Sequence, residues 1–203
     1  MKSLSEIETT VKRASKATGY SWGEAEEIGK CVRLLELFSL PGIKHLNEYY
    51  KEREKNKFEK LNLIEEHNLP TTNSFCPLIL GISFLDQIKM LENNKIIELS
   101  NVAYPILFLS FLSRSSEVLG KKIQIQIDQN EILLNLNVNI SSNFIEKEFP
   151  KLVNTIEVNL LENEDNFTED EWNNLYKLSE ETFVEESDSL KVGAAGAGLT
   201  DND

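Results

Sequence analysis

Ile123-Gln124-Ile125-Gln126-Ile127-Asp128-Gln129-Asn130-Glu131-Ile132-Leu133-Leu134-Asn135-Leu136-Asn137-Val138 decides the fold. Ile123, Ile125 and Ile127 alternate with polar neighbours, and beyond Gln129-Asn130 so do Ile132, Leu134, Leu136 and Val138. A period of two places alternate side chains on one face of a strand. Two such runs around a short polar turn predict a β-hairpin over 121–139. Ile156, Val158 and Leu160 repeat the pattern and predict a third strand. Strands with one apolar face form a mainly antiparallel sheet that is wet on one side and covered by helices on the other.

Helices supply the cover. Tyr104-Pro105 opens the most hydrophobic candidate, with Pro105 suited to the first helical position and Gly120 to the residue past the end. Ile106 to Leu112 is apolar almost all round, so this helix should be central and buried. Upstream, Ser5-Glu6-Ile7-Glu8 reads as a capping box for a helix over 5–17, and Ser21-Trp22-Gly23-Glu24 as a second one for a helix over 22–38. Leu40-Pro41-Gly42 is a turn, after which Ile43, Leu46 and Tyr50 mark a third helix. Phe84, Ile88 and Leu91 have the period of a short buried helix, and Lys95 to Leu99 reads as a strand. Thr168 and Glu171 predict a capped helix from Glu169 to Ser179. The fold class is α+β, with N-terminal helices and a central buried helix on one face of the sheet.

The 203 residues suit one domain. It divides into a helical part (1–50), a charged excursion and linker (51–74), a helix and sheet core (75–161) and an acidic segment with a Gly-rich tail (162–203). Apolar content of 40% excludes bulk disorder. The net charge of −13 disfavours nucleic acid and anionic lipid as partners. That charge is local, because residues 157–203 hold fourteen acids against Lys177 and Lys191. Such a run either solvates a face or attracts a basic partner. The N-terminus lacks a signal-peptide pattern, and the longest apolar run, Val102 to Leu112, is too short to span a bilayer, so a cytoplasmic protein is expected. Cys31 and Cys76 imply no disulfide framework, and His45 and His67 show no ligand spacing with them, so neither a metal nor a cofactor is expected.

Two groups of segments carry a family resemblance. The first is Ser5-Glu6-Ile7-Glu8 with Gly19-Tyr20-Ser21-Trp22-Gly23-Glu24-Ala25-Glu26-Glu27-Ile28-Gly29 and Leu40-Pro41-Gly42. The second is Thr182-Phe183-Val184-Glu185-Glu186-Ser187 with Gly196-Ala197-Gly198-Leu199-Thr200-Asp201-Asn202-Asp203. Together with Cys76-Pro77-Leu78 and the Tyr104-Pro105 helix start, they resemble a bacterial family of proteins of about this length defined only as a domain of unknown function. The resemblance implies no activity. Segment 51–68 matches none of its motifs, and no functional residue is expected there.

Three constellations could carry chemistry. Gly193, Gly196 and Gly198, with Asp201 and Asn202 beyond them, could turn successive amides into an anion-binding nest, since glycine adopts positive φ freely; the alternative is an unstructured chain end. Cys76, beside Ser74 and Pro77, could sit at a helix start that stabilises a thiolate and serve as a catalytic nucleophile; the alternative is a small buried residue. Trp22 and Glu26 share a helix face and, with Glu27, could hold a cationic or polar ligand; alternatively the ring packs over the helix start and the acids answer its positive end. The expected function is a small-molecule binding protein or enzyme whose pocket is closed by the Gly-rich segment. The competing expectation is a non-catalytic subunit or assembly factor that binds a protein partner through its acidic C-terminal region and tail; a homo-oligomer is the other assembly expected.

Overall fold

A serine two residues earlier than expected starts the first helix. In the computed structural model, which describes residues 2–94, 96–127, 130–135, 139–142, 149–162 and 167–180, Ser3 caps α1 (Leu4–Ala17) by accepting from the Glu6 amide at 3.1 Å. Ser5 therefore lies inside the first turn, and the Ser5/Glu8 capping box is replaced. A cap needs extended backbone, which Ser3 has at φ −74°, ψ 154°. The second box forms as expected: Ser21 accepts from the Glu24 amide at 3.2 Å, Glu24 accepts from the Ser21 amide at 2.6 Å, and α2 spans Trp22–Leu37. In α3 (Gly42–Arg53) the buried stripe is Gly42, His45, Leu46 and Tyr49, one position away from the expected Ile43/Leu46/Tyr50 stripe. Gly42 explains the rotation, because a Cβ there would stand 2.8 Å from Leu35 Cβ. A side chain would push α3 off α2.

The core follows from α4 (Pro77–Leu91), β2 (Ile96–Ala103) and α5 (Pro105–Leu119). Tyr104 turns the chain between strand and helix with left-handed dihedrals, φ 46° and ψ 58°, Pro105 begins α5, and Gly120 at φ 69° ends it. The six strands are ordered β1-β2-β6-β3-β4-β5, where β1 is His67–Asn68, β3 Ile123–Ile127, β4 Asn130–Asn135, β5 Asn139–Ser142 and β6 Leu152–Leu160. Only β1 against β2 is parallel among these pairs. The hairpin has the expected register, with Ile123 opposite Leu134 and Ile125 opposite Ile132. Leu136 and Val138, expected in its second strand, lie outside the described residues. The third expected strand is β6, held between β2 and β3.

The period-two pattern determines the layering. Ile97, Leu99, Ile123, Ile125, Ile132, Leu134, Ile156 and Val158 share one core cluster with Phe84, Ile88, Phe108 and Leu112 of α4 and α5. The opposite faces of these helices, through Leu78, Ile79, Leu107 and Phe111, pack with Ile28, Val32, Leu35, Leu46 and Tyr49. Sheet, middle helix pair and N-terminal helices thus form three layers, and the expected α+β class holds with α5 buried at the centre. Full burial of one such side chain contributes about 1.5–3 kcal/mol.

The chain divides into two compact units, residues 1–163 and 164–203. In the second, α6 (Glu169–Glu180) begins with the expected Thr168/Glu171 capping box, the Glu171 amide donating to Thr168 Oγ1 at 3.2 Å and the Thr168 amide to Glu171 Oε2 at 2.7 Å. Phe167 stacks on Trp172 with centroids 5.6 Å apart. None of the α6 residues is buried.

Candidate functional site

Cys76 is the N-cap of α4, and its Sγ accepts from the Ile79 amide at 3.5 Å. Its second partner comes from α3, where the Tyr49 hydroxyl donates to Sγ at 2.9 Å. Tyr20, from the turn between α1 and α2, places its hydroxyl 3.4 Å from that of Tyr49 and 3.7 Å from Sγ. Gly19 makes this turn possible at φ 100°. Tyr20, Tyr49 and Cys76 are 3%, 0% and 4% exposed. Buried phenols need partners, and here three polar groups from three distant segments supply one another. Burial raises both tyrosine pKa values, with the neighbouring Cys76 adding to the shift, so both remain protonated donors.

These groups form one wall of a cavity of about 240 Å³, completed by Arg53, Asn56, Lys57, Phe58, Lys60 and Ile79. Five of its residues fall in the 51–68 segment, where no functional residue is expected from the sequence. The segment is held by Glu59. Its carboxylate accepts from the backbone amides of Asn73 at 2.7 Å and Thr71 at 2.9 Å, as well as from that of Thr72. These bonds lower its pKa to about 2. Its backbone is tied on both sides, the Glu59 amide donating to Ser74 O at 3.0 Å and the Cys76 amide to Glu59 O at 2.8 Å. Phe58 and Lys60 flank it and face the cavity, as alternation along an extended chain requires. Arg53 lies over Tyr20, its guanidinium carbon 4.4 Å from the ring centroid, and donates to Thr18 O at 3.3 Å. Phe58 packs against Tyr49 with centroids 5.0 Å apart.

The remaining sequence candidates lie elsewhere. Trp22 is 58% exposed, and its ring already carries the chain's own cation, with Lys16 Nζ 5.6 Å from the centroid. Glu26 pairs with Lys12 at 2.7 Å and Lys30 at 3.1 Å, and those lysines hold its pKa below the ordinary carboxylate value. Glu27 pairs with Lys30 at 2.8 Å and with Arg114 of α5. Burial pushes the Glu27 pKa up, but Lys30 and Arg114 together take it down. These pairs clamp α1 to α2 and α2 to α5, and none of Trp22, Glu26 and Glu27 lines the cavity. Gly193, Gly196, Gly198, Asp201 and Asn202 lie outside the described residues, and so does the expected closure of a pocket by that segment.

The two cysteines differ in kind. Cys31 is fully buried, with Arg114 Nη1 3.6 Å from its Sγ, and burial pushes its thiol pKa up to about 11. Cys76 opens onto the cavity as a hydrogen-bond acceptor. Among the described residues, the cavity wall has no histidine or carboxylate to act as a base for Cys76. His45 meets Tyr104 edge-on at 6.0 Å, and His67 Nδ1 lies 2.8 Å from Glu98 Oε2. Among the described residues, no group of three or more His, Cys, Asp or Glu side chains could hold a metal ion, and no helix is long and apolar enough to cross a membrane.

Fold and site together define an α+β protein with a small, preformed, positively charged cavity between its N-terminal helices and the start of α4. Residues 2–74 match the model of a family described as a protein of unknown function (DUF3726). No curated protein and no solved structure matches the chain. The matched span contains Tyr20, Tyr49, Arg53, Asn56, Lys57, Phe58 and Lys60, while Cys76 and Ile79 lie just beyond it.

Proposed function

We propose that this protein binds a small molecule in the cavity walled by Tyr20, Tyr49 and Cys76. The observation that carries the reading is the convergence of two phenols and a thiol, all buried, on the wall of a preformed cavity. Sites for small ligands combine apolar walls with a few placed polar groups. Phe58 and Ile79 supply the apolar part, and the amide of Asn56 adds a further donor and acceptor. At about 240 Å³ the cavity falls below the ~300–1,000 Å³ of drug-sized sites, so the ligand is a small metabolite.

A thermal-shift screen of metabolites against the native chain and Asn56→Trp tests this. Asn56 is exposed at the cavity edge, so an indole there blocks the space without disturbing the core. Ligands that stabilise the native chain should lose their effect in Asn56→Trp. Equal stabilisation of both proteins would place the ligand elsewhere and defeat the reading.

A further inference from the structure

We propose that the ligand carries an oxoanion, a carboxylate or phosphate group, which Arg53, Lys57 and Lys60 hold at the cavity mouth while its uncharged end lies against Tyr20, Tyr49 and Cys76. This deepens the small-molecule reading and rests on it. The observation is one of charge. The chain has 34 acids and 21 bases, yet every permanently charged side chain on the cavity wall is a cation.

Two acids next to the cavity-lining residues have other partners. Glu59, between Phe58 and Lys60, is taken up by the amides of residues 71–73. Glu52, one residue before Arg53, accepts from the Tyr104 hydroxyl at 2.7 Å through Oε2, and its Oε1 accepts from the Asn56 side-chain amide at 3.4 Å. Among the described residues, no ion pair is formed by Arg53, Lys57 or Lys60. Three cations gathered on one concavity repel one another, and an anion between them relieves that repulsion.

Arg53 is the preorganised member. Its contact with Tyr20 and its bond to Thr18 O hold the guanidinium in place and leave further N–H donors for a planar or tetrahedral oxoanion. Lys57 and Lys60 contribute point charges from a segment whose backbone Glu59 anchors. The start of α4, at Cys76 and Ile79, adds a positive helix end to the same wall. The phenols remain neutral and offer hydrogen bonds without opposing charge.

Titration calorimetry of the full chain should use inorganic phosphate, a sugar phosphate, acetate and a dicarboxylate, with a neutral polyol and choline as controls. The variants are Lys57→Gln/Lys60→Gln, which changes only exposed side chains, and Asn56→Trp. The expected result is that a phosphate or carboxylate binds, that affinity falls with added salt, that the double lysine variant weakens binding about tenfold or more, and that Asn56→Trp abolishes it. The stronger of the phosphate and carboxylate arms identifies the headgroup. No binding by any anion at millimolar concentration overturns the inference. A neutral or cationic metabolite that Asn56→Trp excludes, with affinity unchanged in the lysine variant, overturns the anion inference and leaves the small-molecule reading standing. Anion binding untouched by Asn56→Trp overturns both.

Discussion

Tyr49 donates its hydroxyl to the Cys76 sulfur across 2.9 Å, joining the middle of α3 to the cap of α4 between residues 27 apart in sequence. Both residues are buried, and each supplies the other with a hydrogen-bond partner. Tyr49→Phe removes the donor and leaves Sγ with the Ile79 amide, at a cost of about 1 kcal/mol. Cys76→Val removes the acceptor, strands a buried phenol whose next partner is Tyr20, and should cost more, about 1–3 kcal/mol. Chemical denaturation of both single variants and the double variant measures the coupling. The double variant should be less destabilised than the sum of the singles by about 0.5 kcal/mol or more. Simple additivity would show that the hydroxyl and the thiol do not interact.

Gly81 lies inside α4, where alanine ordinarily stabilises by about 0.8–1 kcal/mol. Here a Cβ would stand 2.2 Å from Cδ2 of Phe111, a fully buried ring of α5. Gly81→Ala should therefore reverse the usual sign and destabilise by about 1–3 kcal/mol. Gly23 is the internal control, because its Cβ would meet nothing within 4 Å and Gly23→Ala should be neutral or stabilising. If thermal unfolding showed both alanines raising the midpoint, α4 and α5 could not be as close as described.

What the sequence shows of this molecule depends on the range of each interaction. Strand alternation, the Ser21/Glu24 and Thr168/Glu171 boxes and the Pro105-to-Gly120 helix are local patterns, and all appear in the structure. Tyr49 is not legible in the sequence because its stripe includes Gly42 and His45, which do not register as apolar. The sequence pattern ends strand β2 at Leu99 because the polar Ser100 and Asn101 interrupt it, although pairing with β6 carries the strand on to Ala103. The cavity was illegible for a different reason. Its groups come from the α1–α2 turn, α3, an extended segment and α4, and only tertiary packing brings them together. The Lys and Glu alternation from Lys51 to Lys60 looks like a solvated face, yet Glu59 turns towards the 71–73 amides and Lys60 towards the cavity. Of the candidates within the described residues, Cys76 is the one on the cavity wall, at the helix start that Ser74, Cys76 and Pro77 predict.

Glu59 should leave a signature in acid. Its folded pKa of about 2 lies below the ordinary glutamate value of about 4.3, so the unfolded chain binds the proton more readily. The contribution is present above the unfolded value and is lost as pH falls through about 2. Glu59→Gln keeps a carbonyl acceptor and loses the charge. The native chain should unfold at a higher temperature than Glu59→Gln at pH 7, and the gap should close as pH falls from about 4.5 to about 2. A gap of constant size over that range would mean that the 71–73 amides do not depend on an ionised carboxylate.

Four buried or half-buried phenols should leave the opposite signature in alkali. Burial is the leading cause that raises the pKa values of Tyr20, Tyr49, Tyr50 and Tyr104, with the Glu52 carboxylate reinforcing the shift at Tyr104. The folded state therefore holds these protons more tightly than the unfolded chain does. Their stabilising contribution is complete below the unfolded tyrosine value of about 10 and drains away as pH rises above it. Phenolate absorbance at 295 nm should accordingly rise together with the loss of far-ultraviolet circular dichroism for these four rings, since they ionise only as the chain opens. Tyr49→Phe should remove one ring's share of the absorbance that accompanies unfolding. Ionisation of all four with the helical signal intact would show that water reaches the phenols, and the wall formed by Tyr20, Tyr49 and Cys76 would then be open rather than packed.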